Sequence, residues 1–303
     1  MKLKKIIWAT DGSRESETAL DYAKYIAGKS GAEILGVHVV PMPVQLLFDN
    51  ISESKEEIKK WRLKIEDNAA KRFDEVKEEL QKTGIKFDGV ILKGVPSDKI
   101  KEFATRKKAD LLVMGKHGHG FFESMLAGSE TVRVLKSSRV PVLSIKSKNN
   151  AKAEFKNILV PIDLSEESDS ALTYALNVAQ LTGAKVTVIF VLRLDMYAQD
   201  LPAGALELVI EQSMKSLNKR ASQLKKKFES KRGASRNIQM NTEVIHGMSE
   251  GVTISQYATK KNIDLIVIHT HGRTGVTRFL LGSVTERVVS SAQCSVLAMR
   301  PEG

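Results

Sequence analysis

Along the whole chain, short and nearly unbroken apolar runs alternate with longer stretches whose apolar residues recur at helical spacing. In the N-terminal half the runs are Ile6 to Ala9, Ile34 to Val39, Leu111 to Met114 and Val140 to Ile145. Runs of this length bounded by turn residues read as parallel strands buried on both faces. Between the first two, Ala19, Tyr22, Ala23 and Ile26 place one apolar face on a helix over Glu15 to Ser30, and Glu167 to Thr182 reads the same way. A long charged helix is expected over Ser54 to Lys82, with Gly84 as its stop. Third strands follow at Lys86 to Leu92 and Gln239 to Ile245, each leading into a helix that begins near Ser97 or Ser249. Strands regularly separated by helices predict an α/β fold with helices on both faces of a mostly parallel sheet.

The second half repeats the first at a period of about 152 to 154 residues. Ile6-Ile7-Trp8-Ala9-Thr10-Asp11-Gly12-Ser13 corresponds to Ile158-Leu159-Val160-Pro161-Ile162-Asp163-Leu164-Ser165, a short apolar run ending in an acid and a serine. Gly31 to Val39 matches Gly183 to Val191, Ala109 to Met114 matches Ile263 to Ile268, and Val140 to Ile145 matches Cys294 to Met299. The polar stretch Ser147-Lys148-Asn149-Asn150-Ala151-Lys152 has no periodicity. It predicts a linker over 148–153, between one domain over 1–147 and another over 154–303.

Length supports two cores, since 303 residues is about twice the common size of a single-core domain. With 42% hydrophobic and 27% charged residues, composition excludes disorder and disulfide-stapled miniproteins. No apolar stretch reaches the roughly 18 residues that span a bilayer, so no membrane partner is expected. Lys2, Lys4 and Lys5 precede an apolar run too short for a secretory signal, and the single Cys294 cannot make an internal disulfide; both point to the cytoplasm. The net charge of +11 suits a polyanionic partner. The basic runs Arg106-Lys107-Lys108 and Lys225-Lys226-Lys227 lack interleaved aromatics, so they read as solvated faces and nucleic acid is not expected as a partner.

The candidate chemistry sits after the fourth strand, in Met114-Gly115-Lys116-His117-Gly118-His119-Gly120 and then Gly128-Ser129. In an open parallel sheet, ligands bind outside the carboxyl ends of the strands, where loops turn into helices. Glycines there let backbone amides approach phosphate oxygens, and the following helix N-terminus adds unsatisfied N–H groups. The plainer alternative is a set of tight βα turns. Neither GxxxxGK[ST] nor a GxGxxG after the first strand is present, so neither common phosphate-binding motif applies.

The spacing G-x2-G-x9-G-[S/T], complete at Gly115, Gly118, Gly128 and Ser129, resembles the universal stress protein family, as does His271-Gly272-Arg273-Thr274-Gly275 with Gly282-Ser283 in the second half. The likeness covers nearly the whole chain in tandem. It implies a Rossmann-like five-stranded sheet in each half and a nucleotide site binding ATP or a related adenine nucleotide, with or without Mg2+. Adenine would lie near the first acid and the second-strand valine, and phosphates on the glycine loop. Carried over residue by residue, the site is Asp11, Val39, Met114, Gly115, Gly118, Gly128 and Ser129. A second site would comprise Asp163, Val191, Gly272, Gly282 and Ser283. The resemblance also implies an intrachain pseudo-dimer through the fifth strands of the two halves, and it allows a homodimer and slow hydrolysis or autophosphorylation.

Alternatives attach to individual residues. Asp11 also suits a helix N-cap, and Lys116 either approaches a phosphate or points to solvent. Glu130 either opposes a triphosphate or complements a helix N-terminus. His269 stands where the second half's motif should have its first glycine, which makes the N-terminal site the principal one. Ser283-Val284-Thr285-Glu286 has the form of a capping box. His117, His119, His269 and His271 form two H-x-H pairs, but no cysteine or carboxylate cluster completes a metal set, so polar loop packing is the simpler reading. No nucleophile stands beside a base in the sequence. The leading expectation is therefore a cytoplasmic, nucleotide-binding regulatory protein. A slow adenine-nucleotide hydrolase or transferase and an interaction protein with vestigial sites are the alternatives.

Overall fold

The computed structural model describes residues 3–41, 54–116, 129–146, 152–193, 204–232, 237–270 and 281–300. The chain divides into two compact units, Lys2–Ala153 and Glu154–Gly303. The first runs β1 (Lys5–Thr10), α1 (Arg14–Ser30), β2 (Glu33–Val40), α2 (Ser54–Gln81), β3 (Phe87–Lys93), α3 (Pro96–Arg106), β4 (Leu111–Gly115), α4 (Ser129–Ser137), β5 (Val142–Ile145). The second repeats it as β6 (Asn157–Pro161), α5 (Glu166–Thr182), β7 (Lys185–Arg193), α6 (Ala205–Arg232), β8 (Met240–Gly247), α7 (Glu250–Lys260), β9 (Leu265–His269), α8 (Ser283–Ser291), β10 (Ser295–Met299). Within each unit the five strands are parallel, in the order β3-β2-β1-β4-β5 and β8-β7-β6-β9-β10. The fold class is the one that the alternation of runs predicts.

The two units use the same devices at the same places. Ser13 caps α1 by accepting from the Ser16 amide, and Ser165 caps α5 by accepting from the Ser168 amide. Gly31 and Gly183 end those helices in the left-handed conformation, at φ 74° and 83°, each returning its N–H to the helix. The central strands are sealed: Ile6, Ile7, Trp8, Leu112 and Val113 are fully buried, as are Ile158, Leu159, Val160, Leu265 and Ile266. Each large side chain of this kind contributes roughly 1.5–3 kcal/mol.

The third strands differ from the reading of continuous burial. β3 and β8 are only half-buried over most of their length. Each lies at an edge of its unit's sheet with a single neighbour, β2 or β7, and so carries polar residues such as Asp88 and Glu243. Where α2 crosses this edge, Gly36 and Gly89 stand side by side in register and open a slot for the Phe73 ring. A Cβ on Gly89 would lie 2.5 Å from Phe73 Cγ, and one on Gly36 would lie 2.9 Å from both Phe73 Cε1 and Phe87 Cζ. The ring is held edge-on to Trp8 at 6.0 Å and tilted against Phe87 at 6.0 Å, so it has little freedom to retreat.

Gly89→Ala is expected to destabilise the N-terminal unit by about 1–3 kcal/mol in urea unfolding. Adding Phe73→Leu should make the alanine cheaper than it is alone, because a flexible side chain then faces it; strictly additive effects would show that the slot is not the cause.

Candidate functional site

In each unit the strand order reverses between the central strand and its neighbour: β1 is followed by β2 on one side and β4 by β5 on the other, as β6 is by β7 and β9 by β10. In an open parallel sheet the carboxyl edge at such a switch in strand order is the usual place for a ligand. Ala9 pairs with Met114 and Thr10 with His38, so Asp11, Val39 and Gly115 all emerge at this edge. Residues 117–128, 271–280 and 42–53 lie outside the described residues. Among the predicted positions these include Gly118, Gly128, Gly272, His117, His119 and His271.

The turn after β1 is built from side chains. Gly12 takes φ 79° and donates its N–H to Thr10 Oγ1 at 3.1 Å, while the Ser13 N–H donates to Asp11 Oδ1 at 3.0 Å. The N-cap is Ser13, not Asp11. Asp11 is exposed at the mouth and shapes the turn two residues ahead of the cap. Below it, Trp8 Nε1 donates to Ser16 O at 2.7 Å, and Ser16 Oγ lies 3.0 Å from Thr10 Oγ1, tying β1 to the first turn of α1. In the second unit Asp163 Oδ1 accepts from both the Ser165 N–H (3.0 Å) and Oγ (2.5 Å). There Leu164 takes φ 65° where the first unit has glycine, a left-handed conformation unfavourable for a side chain with a Cβ.

Gly115 is required by packing. A Cβ there would lie 2.9 Å from the backbone carbon of Glu15, so the end of β4 meets the first turn of α1 backbone against backbone. Its carbonyl accepts from Thr131 Oγ1 at 3.0 Å, and the next amide, of Lys116, donates to Ile145 O at 2.8 Å. The start of the loop is thereby fixed from three directions. The Lys116 side chain is buried rather than turned to solvent. Val39 and Met114 are buried beneath the edge, and Ser129 is the first residue of α4.

Glu130 turns away from the loop. Its Oε2 accepts from the Ser97 N–H at 3.0 Å and its Oε1 from Arg133 Nη1 at 2.6 Å. Val95 holds the cap position of α3 and offers no side-chain acceptor, so a carboxylate from α4 does that work. In the second unit, where Val284 replaces Glu130, Gly251 stands in place of Ser97, and a Cβ on it would lie 3.1 Å from Val284 O.

His269 ends β9 and is buried. Ile158 pairs with Leu265 as Ile6 pairs with Leu111, so His269 holds the register position of Gly115, on a strand that packs against α5. Thr285 Oγ1 donates to its carbonyl at 2.7 Å, matching the Thr131 contact. The Gly282 N–H donates to Thr270 O at 2.8 Å. The capping box does not form: Gly282 is the cap, and Ser283 is the first helical residue rather than the cap. Among the described residues, no group of three or more histidines, cysteines or acids is placed to hold a metal.

Sequence reasoning missed His38. It is 8% exposed, its Nδ1–H donates to Thr10 O at 3.0 Å, and its Nε2 is sealed without a partner among the described residues. The signal was a lone histidine in an apolar strand directly before Val39; the second unit has Phe190 there.

The profile of the universal stress protein family matches residues 2–146 and again 154–300. The chain belongs to the universal stress protein family. It is 30% identical over 160 residues to universal stress protein MJ0577 of Methanocaldococcus jannaschii, a match covering 48% of this chain and 97% of that one. A second relative from the same organism, MJ0531, is 36% identical over 152 residues, covering 50% of this chain and 85% of the relative. The crystal structure of a universal stress protein from Archaeoglobus fulgidus superposes over 99% of both chains with a TM-score of 0.67 at 22% identity. Among the described residues, no helix is long and apolar enough to cross a membrane.

Two outcomes follow for this member of the family. Burial holds the His38 pKa below its usual 6.5, against the opposing effects of the Thr10 hydrogen bond and the Asp11 charge. The unfolded chain therefore binds that proton first. The site's contribution to stability is complete above about pH 6.5 and falls as pH drops below it. His38→Phe should flatten the decline in urea midpoint between pH 7 and 5. Glu130→Ala should lose about 1 kcal/mol by leaving the Ser97 amide without its acceptor, with hydrogen exchange rising first at the start of α3.

Proposed function

We propose that the N-terminal unit binds ATP or a related adenine nucleotide, with or without Mg2+, and that the protein works as a cytoplasmic regulatory binding module. The observation that carries this reading is the seam at Gly115. Bare backbone there brings the first turn of α1 against the end of β4, where the glycine loop begins, at the same edge as Asp11. Phosphates suit that edge because unsatisfied N–H groups and the helix dipole both favour anions. Three or four hydrogen bonds to charged oxygens, at roughly 1.5–3 kcal/mol each, leave near −8 kcal/mol after association costs, or about micromolar affinity. Asp11, exposed beside Val39, is an acceptor for an adenine or ribose donor. The motif residues Gly118, Gly128 and Ser129 complete the phosphate cradle in this reading, with Met114 beneath it. A net charge of +11 assists the approach of a polyphosphate.

The C-terminal unit, with Asp163, Val191, Gly272, Gly282 and Ser283, is the weaker site. His269, a buried side chain, stands where the first unit has the bare Gly115.

Isothermal calorimetry with ATP tests this. Gly118→Val in the full chain should reduce nucleotide affinity at least tenfold, whereas Gly272→Val should change it less than twofold. Equal losses would refute the asymmetry, and no heat from the wild-type protein at near-millimolar ATP would favour an interaction protein with vestigial sites. Mass spectrometry of any ligand released from the purified protein identifies the nucleotide.

A further inference from the structure

Five large apolar side chains stand exposed among the described residues: Trp61, Leu63, Val95, Leu208 and Met248. Two of them hold the same place in the repeat. Val95 follows Gly94 and Met248 follows Gly247, each between the third strand of its unit and the next helix, and they are 54% and 77% exposed. Single exposed apolar residues are ordinary. The same exposure at one repeated loop position, at the carboxyl edge of both sheets, is not explained by scatter.

Local structure gives Val95 no task either. It is the N-cap of α3, at φ −75° and ψ 119°, where serine, threonine, aspartate or asparagine is preferred and valine is among the least suited residues. The amide that a cap side chain would have served, on Ser97, is instead satisfied by Glu130 from α4. An apolar side chain is thus held in water at a position that a polar one would stabilise.

Its neighbours indicate what covers it. The Gly94 N–H donates to Val40 O at 3.1 Å, which hooks the start of the α3 turn onto the end of β2. Val39 pairs with Leu92 and Val40 with Lys93, while Thr10, just before Asp11, pairs with His38. Asp11, Val39 and Val95 therefore follow one another across the ends of β1, β2 and β3. Adjacent strands lie about 4.8 Å apart, so β1 and β3 are roughly 10 Å apart across the sheet, a span that suits a planar bicyclic base, and Val95 stands three residues beyond Leu92, which is level with Val39. An acid at one end, an apolar strand end in the middle and an exposed aliphatic side chain at the other match a ring with polar edges and apolar faces.

We propose that Val95 covers the face of the purine base bound at the N-terminal unit, and that it is a specificity-determining residue favouring nucleotides over free polyphosphate. Met248 is its counterpart beside Asp163 and Val191. The inference rests on the nucleotide reading above and names a contact to the base that the glycine motif does not supply.

The test compares ATP with inorganic tripolyphosphate by calorimetry on the full chain, wild type against Val95→Ser. Burying a valine side chain against a ring contributes enough for about a fivefold change in affinity, so the serine variant should bind ATP about fivefold more weakly and tripolyphosphate unchanged. Its melting temperature should be no lower than wild type, because serine is a preferred cap. Val95→Leu, which keeps the apolar cover, should bind ATP within twofold of wild type. Unchanged ATP affinity in Val95→Ser overturns the inference and leaves the nucleotide reading standing. Parallel loss of both ligands also overturns it, since Val95 would then be shaping the phosphate loop. A wild-type protein that takes up neither ligand removes the nucleotide reading and this inference together.

Discussion

The end of β4 touches the first turn of α1 through bare backbone, and the geometry of the N-terminal candidate site follows from that contact. A side chain at Gly115 would meet Glu15 at 2.9 Å, so any other residue must push the helix outward or bend the strand. With glycine in place, the helix N-terminus, the turn that presents Asp11 and the root of the glycine loop are set at one edge. The Thr131 hydroxyl, donating to the Gly115 carbonyl, and the Ile145 carbonyl, accepting from the Lys116 amide, hold that root in addition. Interiors pack tightly enough that a shift of a few tenths of an ångström here would be transmitted rather than absorbed.

The second unit shows what happens when the constraint is relaxed. Strand order, register, the caps at Ser165 and Gly183 and the Thr285 contact are all retained. The side-chain bonds from the strand to the first helical turn are changed, although Asp163 and Ser165 keep the hydrogen bonds of the turn itself. Trp8, Thr10 and His38 become Val160, Ile162 and Phe190, and Gly12 becomes Leu164, which keeps the left-handed turn at φ 65° despite its Cβ. One scaffold therefore carries two differently furnished edges: Trp8 and Thr10 are hydrogen-bonded to Ser16 in the first unit, whereas apolar residues hold the matching strand positions in the second and His269 replaces Gly115. A binding site is altered at lower energetic risk than a core, because the strands beneath it keep their packing.

Several groups that look like ligand contacts in isolation serve the framework. Glu130, next to the motif serine, caps α3, and the Asp11 and Asp163 carboxylates shape the turns ahead of the helices they precede. These roles are compatible with ligand binding and also explain the residues without it. Val95 differs from these: it is exposed and holds the cap position of α3 without a side-chain hydrogen bond.

Read alone, the chain determined its repeat, its α/β class and most strands and helices, though not the long α6, because buried parallel strands are written as apolar runs and amphipathic helices as a 3.6-residue period. It also located the glycine loop and Asp11, since spacing along the chain is preserved in the fold. It could not assign side-chain partners. The capping of α3 by Glu130 joins positions 33 residues apart, and the slot for Phe73 needs Gly36 and Gly89 in register on neighbouring strands. The capping box at Ser283 fails because the helix starts around Gly282, a boundary set by how Thr270 receives the loop. Local propensity is a property of neighbouring residues and is legible in order. The directions in which Gly115, His38 and Glu130 face are settled only when distant segments pack, and in this protein those directions shape the candidate site.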